Sequence, residues 1–414
     1  MKKKILIYGM GKTGAAVKKF CIKKNIPYET YDDKKQNPDK FKNLLEKIST
    51  IVLSPGVPAS NRNIKLAIKT KINVISEIEF ASRYIDKPLI AITGTNGKTT
   101  TCLLTYNLLK SQKKRIFLGG NIGKPLVSSL NDAKTYDLYL VECSSFQLQF
   151  IDKSFRPFIS LITNLSPNHL DHHNSLREYY DSKFNIFKNQ FKSSFYIEGE
   201  KLKNQKIKLL KRKKINIISL NLNQDKKYLY YDNLKIDKNK LNVIGNHNYK
   251  NIISALKILS IYTKVDKSHL EILYKFNPPN FRLEKVSNQP KIYNDSKSTS
   301  PAATLKALES FSEKVYLIIG GKDKNLDYSE LLKVLAKRTK GIFIFGQNKF
   351  KLAKYFYKFE YEICSDLRNA VELCIKKAGK KDIILFSPGT SSFDSYKSYN
   401  QRGEVFNSYV RQFS

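Results

Sequence analysis

A glycine-rich stretch at residues 94–100 has the composition of a phosphate-binding loop. It reads Gly94-Thr95-Asn96-Gly97-Lys98-Thr99-Thr100, after an apolar run at residues 89–93 and before a helix-like segment that reaches Lys110. Glycines let backbone N–H groups approach phosphate oxygens, the lysine adds positive charge, and the hydroxyl of Thr99 can ligate Mg²⁺. Ile92 occupies the place of the first glycine in the usual P-loop spacing. The stretch predicts a P-loop variant, and a plain glycine turn is the alternative.

Two further groups have the chemistry of metal ligands. Glu142 ends the strand-like run at residues 138–142, and in parallel sheets beside a P-loop a metal-holding acid lies at such a strand end. Residues 169–173 read His-Leu-Asp-His-His and contain three of the five histidines. Their surroundings lack the cysteine or acidic spacing that would complete a zinc site. A single histidine at a Mg²⁺ site is the better use of this segment.

A second glycine pattern, Gly9-x-Gly11-x-x-Gly14, follows the apolar run at residues 5–8. With Asp32 after the next apolar run, it matches the dinucleotide-binding fingerprint. Such a turn brings backbone N–H groups close to a diphosphate, so a UDP-bearing ligand fits as well as NAD. An NAD-dependent dehydrogenase and a tight turn without any ligand both stay open at this point.

The elements that must position these residues repeat along the chain. Three segments each begin with a short β-rich run that ends in a glycine turn, followed by helical patterns, and this alternation predicts parallel α/β sheets. We expect an α/β protein of three domains, at residues 1–87, 88–278 and 279–414, the last beginning after Pro278-Pro279. Residues 200–242 predict an antiparallel edge with loops.

Composition narrows the function classes. The chain has 414 residues and a formal net charge of +38, from 74 Lys and Arg against 36 Asp and Glu. The positive residues are spread along the whole chain and no aromatic RNA-binding signature accompanies them, so we expect no nucleic-acid partner. A basic nucleotide-binding module that associates with RNA stays the rival. Five separated cysteines indicate a reduced, cytoplasmic protein, and no apolar run is long enough for membrane insertion.

The P-loop variant, Glu142 with Ser144-Ser145-Phe146-Gln147, and Asn168-His169-Leu170-Asp171 together resemble the central domain of the Mur ligases. Further motifs resemble the D-glutamate-adding branch of that family and extend the similarity from Gly9 to the last helix. They are Gly119-Gly120-Asn121-Ile122-Gly123, Gly245-Asn246-His247-Asn248-Tyr249, Asn294-Asp295-Ser296-Lys297, Ser387-Pro388-Gly389, Ser392-Phe393-Asp394 and Gln401-Arg402-Gly403. The resemblance implies a Rossmann-like N-terminal domain that binds UDP, a P-loop ATPase-type central domain, and a Rossmann-like C-terminal domain that delivers the amino acid.

What the resemblance implies about activity is an ATP-dependent ligase of peptidoglycan precursor synthesis. The terminal carboxylate of UDP-N-acetylmuramoyl-L-alanine would be phosphorylated to an acyl phosphate, which the amine of D-glutamate then attacks. ATP, two Mg²⁺ ions and a carbamoylated Lys183 are the implied cofactors, and the implied state is a monomer. Ligases that add diaminopimelate or lysine typically have Asp-Asn-Pro where this chain has Asn294-Asp295-Ser296-Lys297. Another Mur ligase or a folate polyglutamate ligase is the rival within this class.

The resemblance also implies the site residues. Catalytic roles fall on Lys98, Glu142, His169 and Lys183. ATP binding falls on Gly94, Thr95, Asn96, Gly97, Lys98, Thr99, Thr100, Asn248, Asn251, Arg282, Asp295 and Lys297. UDP-substrate binding falls on Thr13, Asp32, Ser54, Gly56, Asn121 and His169, and D-glutamate binding on Lys324, Ser392, Phe393 and Tyr399. The metal ligands are Thr99, Glu142, His169 and Lys183.

Lys183 follows the family pattern, whereas the chain departs from that pattern in two places. Read without the resemblance, Lys183 in Tyr179-Tyr180-Asp181-Ser182-Lys183 is a surface lysine at a helix start, and only the family pattern implies its carbamoylation. Lys322 stands where the family usually has an acidic residue, and Gly389-Thr390 precede the serine segment in a looser form than the family pattern. These departures concern the geometry of the glutamate pocket and leave the reaction class as implied.

Overall fold

A computed structural model describes residues 4–132, 135–167, 173, 175–200 and 210–414. The chain divides into two compact units, residues 1–236 with 250–273 and residues 237–249 with 274–414. Within the described ranges, none of the helices has the length and apolarity needed to cross a bilayer.

The first unit begins with a four-stranded parallel sheet of order β2-β1-β3-β4. The predicted strand, glycine turn and helix over Gly9, Gly11 and Gly14 are confirmed, because β1 ends at Tyr8 and the first helix starts at Lys12. The elements are β1 (Lys4–Tyr8), α1 (Lys12–Lys23), β2 (Tyr28–Tyr31), α2 (Pro38–Leu45), β3 (Ile48–Leu53), α3 (Arg62–Lys69), β4 (Asn73–Ser76) and α4 (Glu77–Ser82).

A six-stranded parallel sheet of order β10-β9-β8-β5-β7-β6 follows in the same unit. Its central strands β5, β7 and β8 are buried along their whole length, as expected when helices cover both faces of a parallel sheet. The elements are β5 (Leu89–Thr93), α5 (Lys98–Lys110), β6 (Ile116–Gly120), α6 (Ser128–Asn131), β7 (Leu138–Glu142), α7 (Ser145–Gln149), β8 (Ile159–Ile162), α8 (Leu176–Phe184), β9 (Phe195–Glu198) and β10 (Asn216–Ser219).

A small three-stranded sheet of order β11-β12-β13 and two helices follow in the chain. Of the range 200–242, residues 201–209 lie outside the described residues. In the rest, the antiparallel pairing of β11 with β12 agrees with the prediction, whereas β10 was missed and extends the parallel sheet. The elements are β11 (Asn223–Gln224), β12 (Tyr228–Tyr231), β13 (Leu234–Asp237), α9 (Asn246–Ser260) and α10 (Ser268–Lys275), with 3-10 turns at Asn185–Phe187 and Lys238–Lys240.

The second unit contains a six-stranded sheet of order β14-β15-β19-β16-β17-β18, in which only the pairing of β14 with β15 is antiparallel among the pairings described. Two apolar clusters cover its faces. The elements are β14 (Glu284–Asn288), β15 (Lys291–Asn294), α11 (Pro301–Leu308), β16 (Val315–Gly320), α12 (Ser329–Arg338), β17 (Thr339–Phe345), α13 (Lys349–Tyr355), β18 (Tyr361–Ile363), α14 (Leu367–Lys377), β19 (Ile383–Phe386) and α15 (Tyr399–Phe413). The predicted α/β class with parallel sheets is confirmed.

Candidate active site

The loop between β5 and α5 has a backbone that requires its two glycines. Gly94 and Gly97 have φ angles of 144° and 83°, in the range that L side chains rarely adopt. A Cβ at Gly94 would lie 1.9 Å from Oγ1 of Thr163, and one at Gly97 would lie 2.5 Å from Oδ1 of Asn251. Asn251, one of the predicted ATP residues, therefore packs directly against the loop.

Lys98 opens helix α5 and folds back over this loop. Its Nζ donates to the carbonyl oxygens of Gly94, at 2.8 Å, and Thr95, at 2.9 Å. Gly97 is the N-cap of the helix, and within the described residues no side chain caps it. Backbone N–H groups at such a helix start, together with a lysine charge, form a phosphate-binding arrangement. The structure therefore brings the predicted P-loop groups together.

Neighbouring strand β8 braces the loop with residues that the sequence analysis missed. Oδ1 of Asn164 accepts from the amide of Asn96 at 3.0 Å, while the side chains of Asn164 and Thr163 donate to the Asn96 carbonyl at 3.0 and 2.6 Å. The Thr95 hydroxyl donates to the Ser166 carbonyl at 3.1 Å. Thr163 and Asn164 directly follow β8, and that position at a strand end was the available signal.

Glu142 lies at the end of β7 and is buried. Its carboxylate accepts from the Thr99 hydroxyl at 2.8 Å and from the side-chain amide of Asn121 at 2.7 Å. The backbone amide of Asn121 also donates to the Glu142 carbonyl, at 2.8 Å. Asn121, predicted as a UDP-substrate residue, thus lies beside the acid predicted to hold metal.

The pair of Thr99 and Glu142 suits Mg²⁺, which prefers hard oxygen ligands and keeps few protein ligands beside substrate phosphates. Among the residues that the structure describes, no group of three or more His, Cys, Asp or Glu side chains is placed to hold a metal. Of the histidine segment, His169 lies outside the described residues, and so do Asn168, Leu170, Asp171 and His172. His173 is buried and stacks on Phe146 with ring centroids 5.3 Å apart.

Lys183 differs from the surface lysine at a helix start that its residue pattern suggests. It lies in the last turn of α8 and is only 2% exposed. Its Nζ donates to the Gly94 carbonyl at 2.9 Å and lies 4.7 Å from the centre of the Tyr179 ring. Burial, followed by the charge of Lys98, holds the pKa of Lys183 well below its usual value. The prediction of a surface lysine was wrong, because the helical pattern does not show which face of α8 packs against the P-loop.

Four of the six predicted UDP residues lie around the carboxyl ends of β1, β2 and β3. The other two are Asn121, which follows β6, and His169, which lies outside the described residues. Asp32 accepts from the backbone amide of Met10 at 2.8 Å, and this bond, followed by that from the Lys34 amide, lowers the pKa of Asp32. Ser54 donates to the Gly9 carbonyl at 2.7 Å. Thr13 lies in the first turn of α1, and Gly56 follows β3.

Next to this turn is a polar cluster that sequence reasoning missed. The hydroxyl of Tyr8 and the side chain of Asn61 donate to Asp33 at 2.7 and 2.8 Å, and Asn63 donates to it at 3.2 Å. Asp33 is the residue after Asp32, so its place after β2 was visible in the sequence, but its partners are 25 or more positions away.

In the second unit, the predicted nucleotide residues have mixed surroundings. Asp295 is buried and accepts from the hydroxyls of Ser298 and Ser387. Burial raises the pKa of Asp295 to about 7. Asn248 donates to the Ile244 carbonyl at 2.8 Å, and Arg282 is half-buried.

The predicted D-glutamate residues have different surroundings in that unit. Tyr399 lies beneath Nζ of Lys297, 3.7 Å from the ring centre. Ser392 is buried, while Lys324 and Phe393 are exposed. A cleft of about 500 Å³ includes Phe393 in its lining, but Lys324, Ser392 and Tyr399 are not among the described residues that line it.

Arg402 is a fully buried cation in this unit and had no role in the sequence analysis beyond its motif. Its guanidinium donates to the Ser296 hydroxyl at 3.1 Å, the Ser296 carbonyl at 2.9 Å and the Thr390 carbonyl at 3.1 Å. Burial lowers the pKa of Arg402 to about 10. This one side chain joins the segment before Lys297 to the segment before Ser392.

Known families match this chain over most of its length. The Mur ligase middle domain matches residues 92–259, and the glutamate ligase domain of Mur ligases matches residues 281–389. The chain belongs to the Mur ligase family. It is 36% identical over 98% of both chains to the UDP-N-acetylmuramoylalanine--D-glutamate ligase of Aquifex aeolicus. The ligases of that name from Koribacter versatilis and Clostridium tetani are 33% and 31% identical, over 100% and 99% of this chain and 98% and 96% of their own.

Solved structures show the same fold at low sequence identity. The MurF ligase of Thermotoga maritima in complex with ADP matches with a TM-score of 0.61 and 16% identity, over 100% of this chain and 97% of its own. The UDP-N-acetylmuramate-alanine ligase MurC of the same organism matches with a TM-score of 0.59 and 16% identity, over 99% and 100%. The multi-domain Mur ligase fold expected from the sequence is therefore confirmed.

Proposed function

We propose that this protein joins D-glutamate to UDP-N-acetylmuramoyl-L-alanine, using ATP, in the synthesis of peptidoglycan precursors. The observation that carries the proposal is the convergence of Lys98, the Thr99–Glu142 pair and buried Lys183 around one glycine loop. The full-length relatives named for this activity supply the identity of the two substrates. We also propose the domain boundaries 1–87, 88–278 and 279–414, and a cytoplasmic site, which the five free thiols support.

The chemical problem is that a carboxylate has no usable leaving group for attack by an amine. Transfer of the γ-phosphoryl group of ATP to the carboxylate of the muramoyl-alanine substrate gives an acyl phosphate and ADP. The amine of D-glutamate then forms the new C–N bond, and phosphate leaves. Because two anions must meet in the first step, positive charge and N–H donors dominate the required site.

The residues of this chain divide that work. The N–H groups at the start of α5 and the ammonium of Lys98 bind the phosphates and offset their charge. Thr99 and Glu142 would hold a Mg²⁺ ion, which supplies charge neutralisation when bound. Asn121 holds the Glu142 carboxylate in place from the opposite side.

Lys183 would be carbamoylated by CO₂, and the carbamate would bind a second Mg²⁺ together with His169. Only a neutral amine adds CO₂, and the lowered pKa of Lys183 favours that neutral form. Its Nζ donates a hydrogen bond to the Gly94 carbonyl, so the carbamate would form beside the phosphate-binding loop. The observation that supports this part of the proposal is a buried lysine whose Nζ shares the Gly94 carbonyl with a second lysine.

The test is phosphate release from ATP with Mg²⁺, bicarbonate and UDP-N-acetylmuramoyl-L-alanine. D-glutamate is compared with L-glutamate, D-aspartate, L-alanine and diaminopimelate, and a folate acceptor replaces the UDP substrate in a parallel series. We expect phosphate release only when D-glutamate and the UDP substrate are both present. Release with another amino acid or with the folate would retain the ligase chemistry and refute the substrates, whereas no release in any series would refute the ligase.

A further inference from the structure

Glu77 is a buried carboxylate for which the proposed reaction has no use. It opens helix α4 directly after β4 and is fully buried. Its Oε1 accepts from the backbone amide of Val127 at 2.6 Å. Its Oε2 is buried and has no hydrogen-bond partner among the described residues. An acid in such a place costs stability, because a buried carboxylate oxygen without a donor loses its hydration.

The hydrogen bond that Glu77 accepts from Val127 holds the far end of a loop whose near end lies in the candidate site. This loop, residues 121–127, joins β6 to α6. At its start, Asn121 contacts Glu142 through both its side chain and its backbone amide. Its middle is tied by a bond of 2.8 Å from the Gly120 amide to the Lys124 carbonyl. At its end, Val127 donates to Glu77. The loop is therefore held from both ends, by Glu142 and by Glu77.

We propose that Glu77 is a positioning residue for the metal-binding carboxylate: by anchoring the Val127 end of the 121–127 loop, it keeps Asn121 on Glu142. The inference rests on the proposed function, since Glu142 is there assigned to Mg²⁺. A carboxylate that binds metal needs its orientation fixed by outer hydrogen bonds, and loss of such a partner costs about 10–100-fold in metal affinity. Glu77 and Glu142 are connected through the Val127 amide, the backbone of the 121–127 loop, and the side-chain and backbone amides of Asn121.

A second carboxylate of the same helix provides a matched control. Glu79 is also fully buried, and it accepts from the backbone amides of Lys153, Ser154 and Phe155 at 3.1, 2.7 and 2.9 Å. Its partners precede β8 rather than lying in the 121–127 loop. Loss of Glu79 therefore removes as much or more hydrogen bonding from the same helix without releasing Asn121.

The experiment compares Glu77→Leu, Glu77→Gln and Glu79→Leu in the full chain. The readouts are the Mg²⁺ concentration for half-maximal phosphate release and amide hydrogen exchange at residues 121–127. We expect Glu77→Leu to raise the Mg²⁺ requirement about tenfold and to speed exchange in the loop. Glu77→Gln retains an acceptor oxygen for Val127 and should stay within about twofold of the parent chain. Glu79→Leu should also stay within about twofold, whatever its loss of thermal stability.

A second variant serves if Glu77→Leu does not fold. Val127 has φ of −60°, which suits proline, so Val127→Pro removes the donor and leaves Glu77 in place. It should reproduce the raised Mg²⁺ requirement. The proposal is overturned if Glu77→Leu, or Val127→Pro in its stead, shifts the Mg²⁺ requirement no more than Glu79→Leu does. If the parent chain itself releases no phosphate, the proposed function has failed. The anchoring role is tested separately: unchanged amide exchange at residues 121–127 in Glu77→Leu, or in Val127→Pro in its stead, overturns it.

Discussion

Two lysines share one carbonyl oxygen at the candidate site. Nζ of Lys98 and Nζ of Lys183 both donate to Gly94, at 2.8 and 2.9 Å. Two ammonium groups this close repel each other, and the charge of Lys98 is the second cause, after burial, of the lowered pKa of Lys183. The pair therefore favours one charged lysine for phosphate and one neutral lysine for reaction with CO₂.

Replacing Lys98 tests the charged member of the pair. Lys98→Ala should reduce kcat by about 10²–10³-fold, because it removes a charge aimed at the transferring phosphoryl group. The measurement is steady-state phosphate release with D-glutamate. Lys113→Ala is the control, since this lysine follows α5 at its far end, and it should leave kcat unchanged. A loss of less than tenfold in Lys98→Ala would contradict the assigned role.

Replacing Lys183 tests the member of the pair whose pKa is lowered. Lys183→Ala and Lys183→Arg should both lose nearly all activity, because neither side chain can form a carbamate. Added acetate or propionate should restore part of the activity of Lys183→Ala, where the deleted side chain leaves room for a carboxylate. Lys183→Arg lacks that room and should show no rescue. A fully active Lys183→Arg would show that the position needs only positive charge.

At the scale of elements, the strand–turn–helix units position the site, and their glycines decide how closely helix and strand pack. Gly14 on α1 faces the turn that follows β1, and a Cβ there would lie 2.1 Å from the Gly9 carbonyl oxygen. Gly14→Ala should destabilise the first unit by about 1–3 kcal/mol, the range for overpacking of a filled site. The free energy of unfolding from urea titration measures it.

Gly11 provides the comparison for Gly14. A Cβ at Gly11 would meet no described atom within 4 Å, and this residue caps α1 with an ordinary negative φ of −72°. Gly11→Ala should therefore change the free energy of unfolding by less than about 1 kcal/mol, since it loses only a favourable N-cap. Helix propensity favours alanine over glycine inside α1, so a loss at Gly14 must come from the contact with Gly9. A loss in Gly14→Ala no larger than that in Gly11→Ala would contradict this contact.

The sequence predicted those elements whose signals are local. The P-loop variant lies between β5 and α5 as predicted, and Glu142 ends β7 as predicted. What it could not predict depends on the approach of distant segments. Burial of Lys183 follows from packing of α8 against a loop 89 positions earlier, and the bond from Asn121 to Glu142 spans 21 positions. No periodicity within a helix or strand encodes such distances.

At the scale of the whole molecule, the net charge of +38 leaves an RNA-binding module as the rival function. Phosphate contacts of dispersed lysines release counterions, so affinity for RNA should fall by about 10³-fold or more between 0.05 and 0.2 M salt. A filter-binding series with single-stranded RNA at rising salt measures this. Tight binding that persists at 0.2 M salt would favour the RNA-binding module, whereas ATP-dependent ligation at the same salt would favour the enzyme.

Stability of the whole chain should depend on pH through its buried acids. Burial raises the pKa of Glu77 from 4.5 to about 7, and the nearby backbone amides of Val127 and Leu126 only partly offset this rise. The unfolded chain loses this proton near pH 4.5 and the folded chain near pH 7. The protonated acid therefore contributes stability that is fully present below about pH 4.5 and is lost as pH rises through about 7.

Glu77→Gln isolates this contribution, because glutamine stays neutral at every pH. Relative to the parent chain, its free energy of unfolding should rise by about 2 kcal/mol between pH 5 and pH 8, since each unit of pKa difference is worth about 1.4 kcal/mol. Exchange of the slowest amides of β5 and β7 measures it. The exposed acid Asp327 has a lowered pKa, through the backbone amide of Ser329, so Asp327→Asn should show no such rise in this window. A pH-independent difference for Glu77→Gln would mean that Glu77 is already ionised in the folded chain at pH 5, and that the two backbone amides stabilise its charge more than burial penalises it.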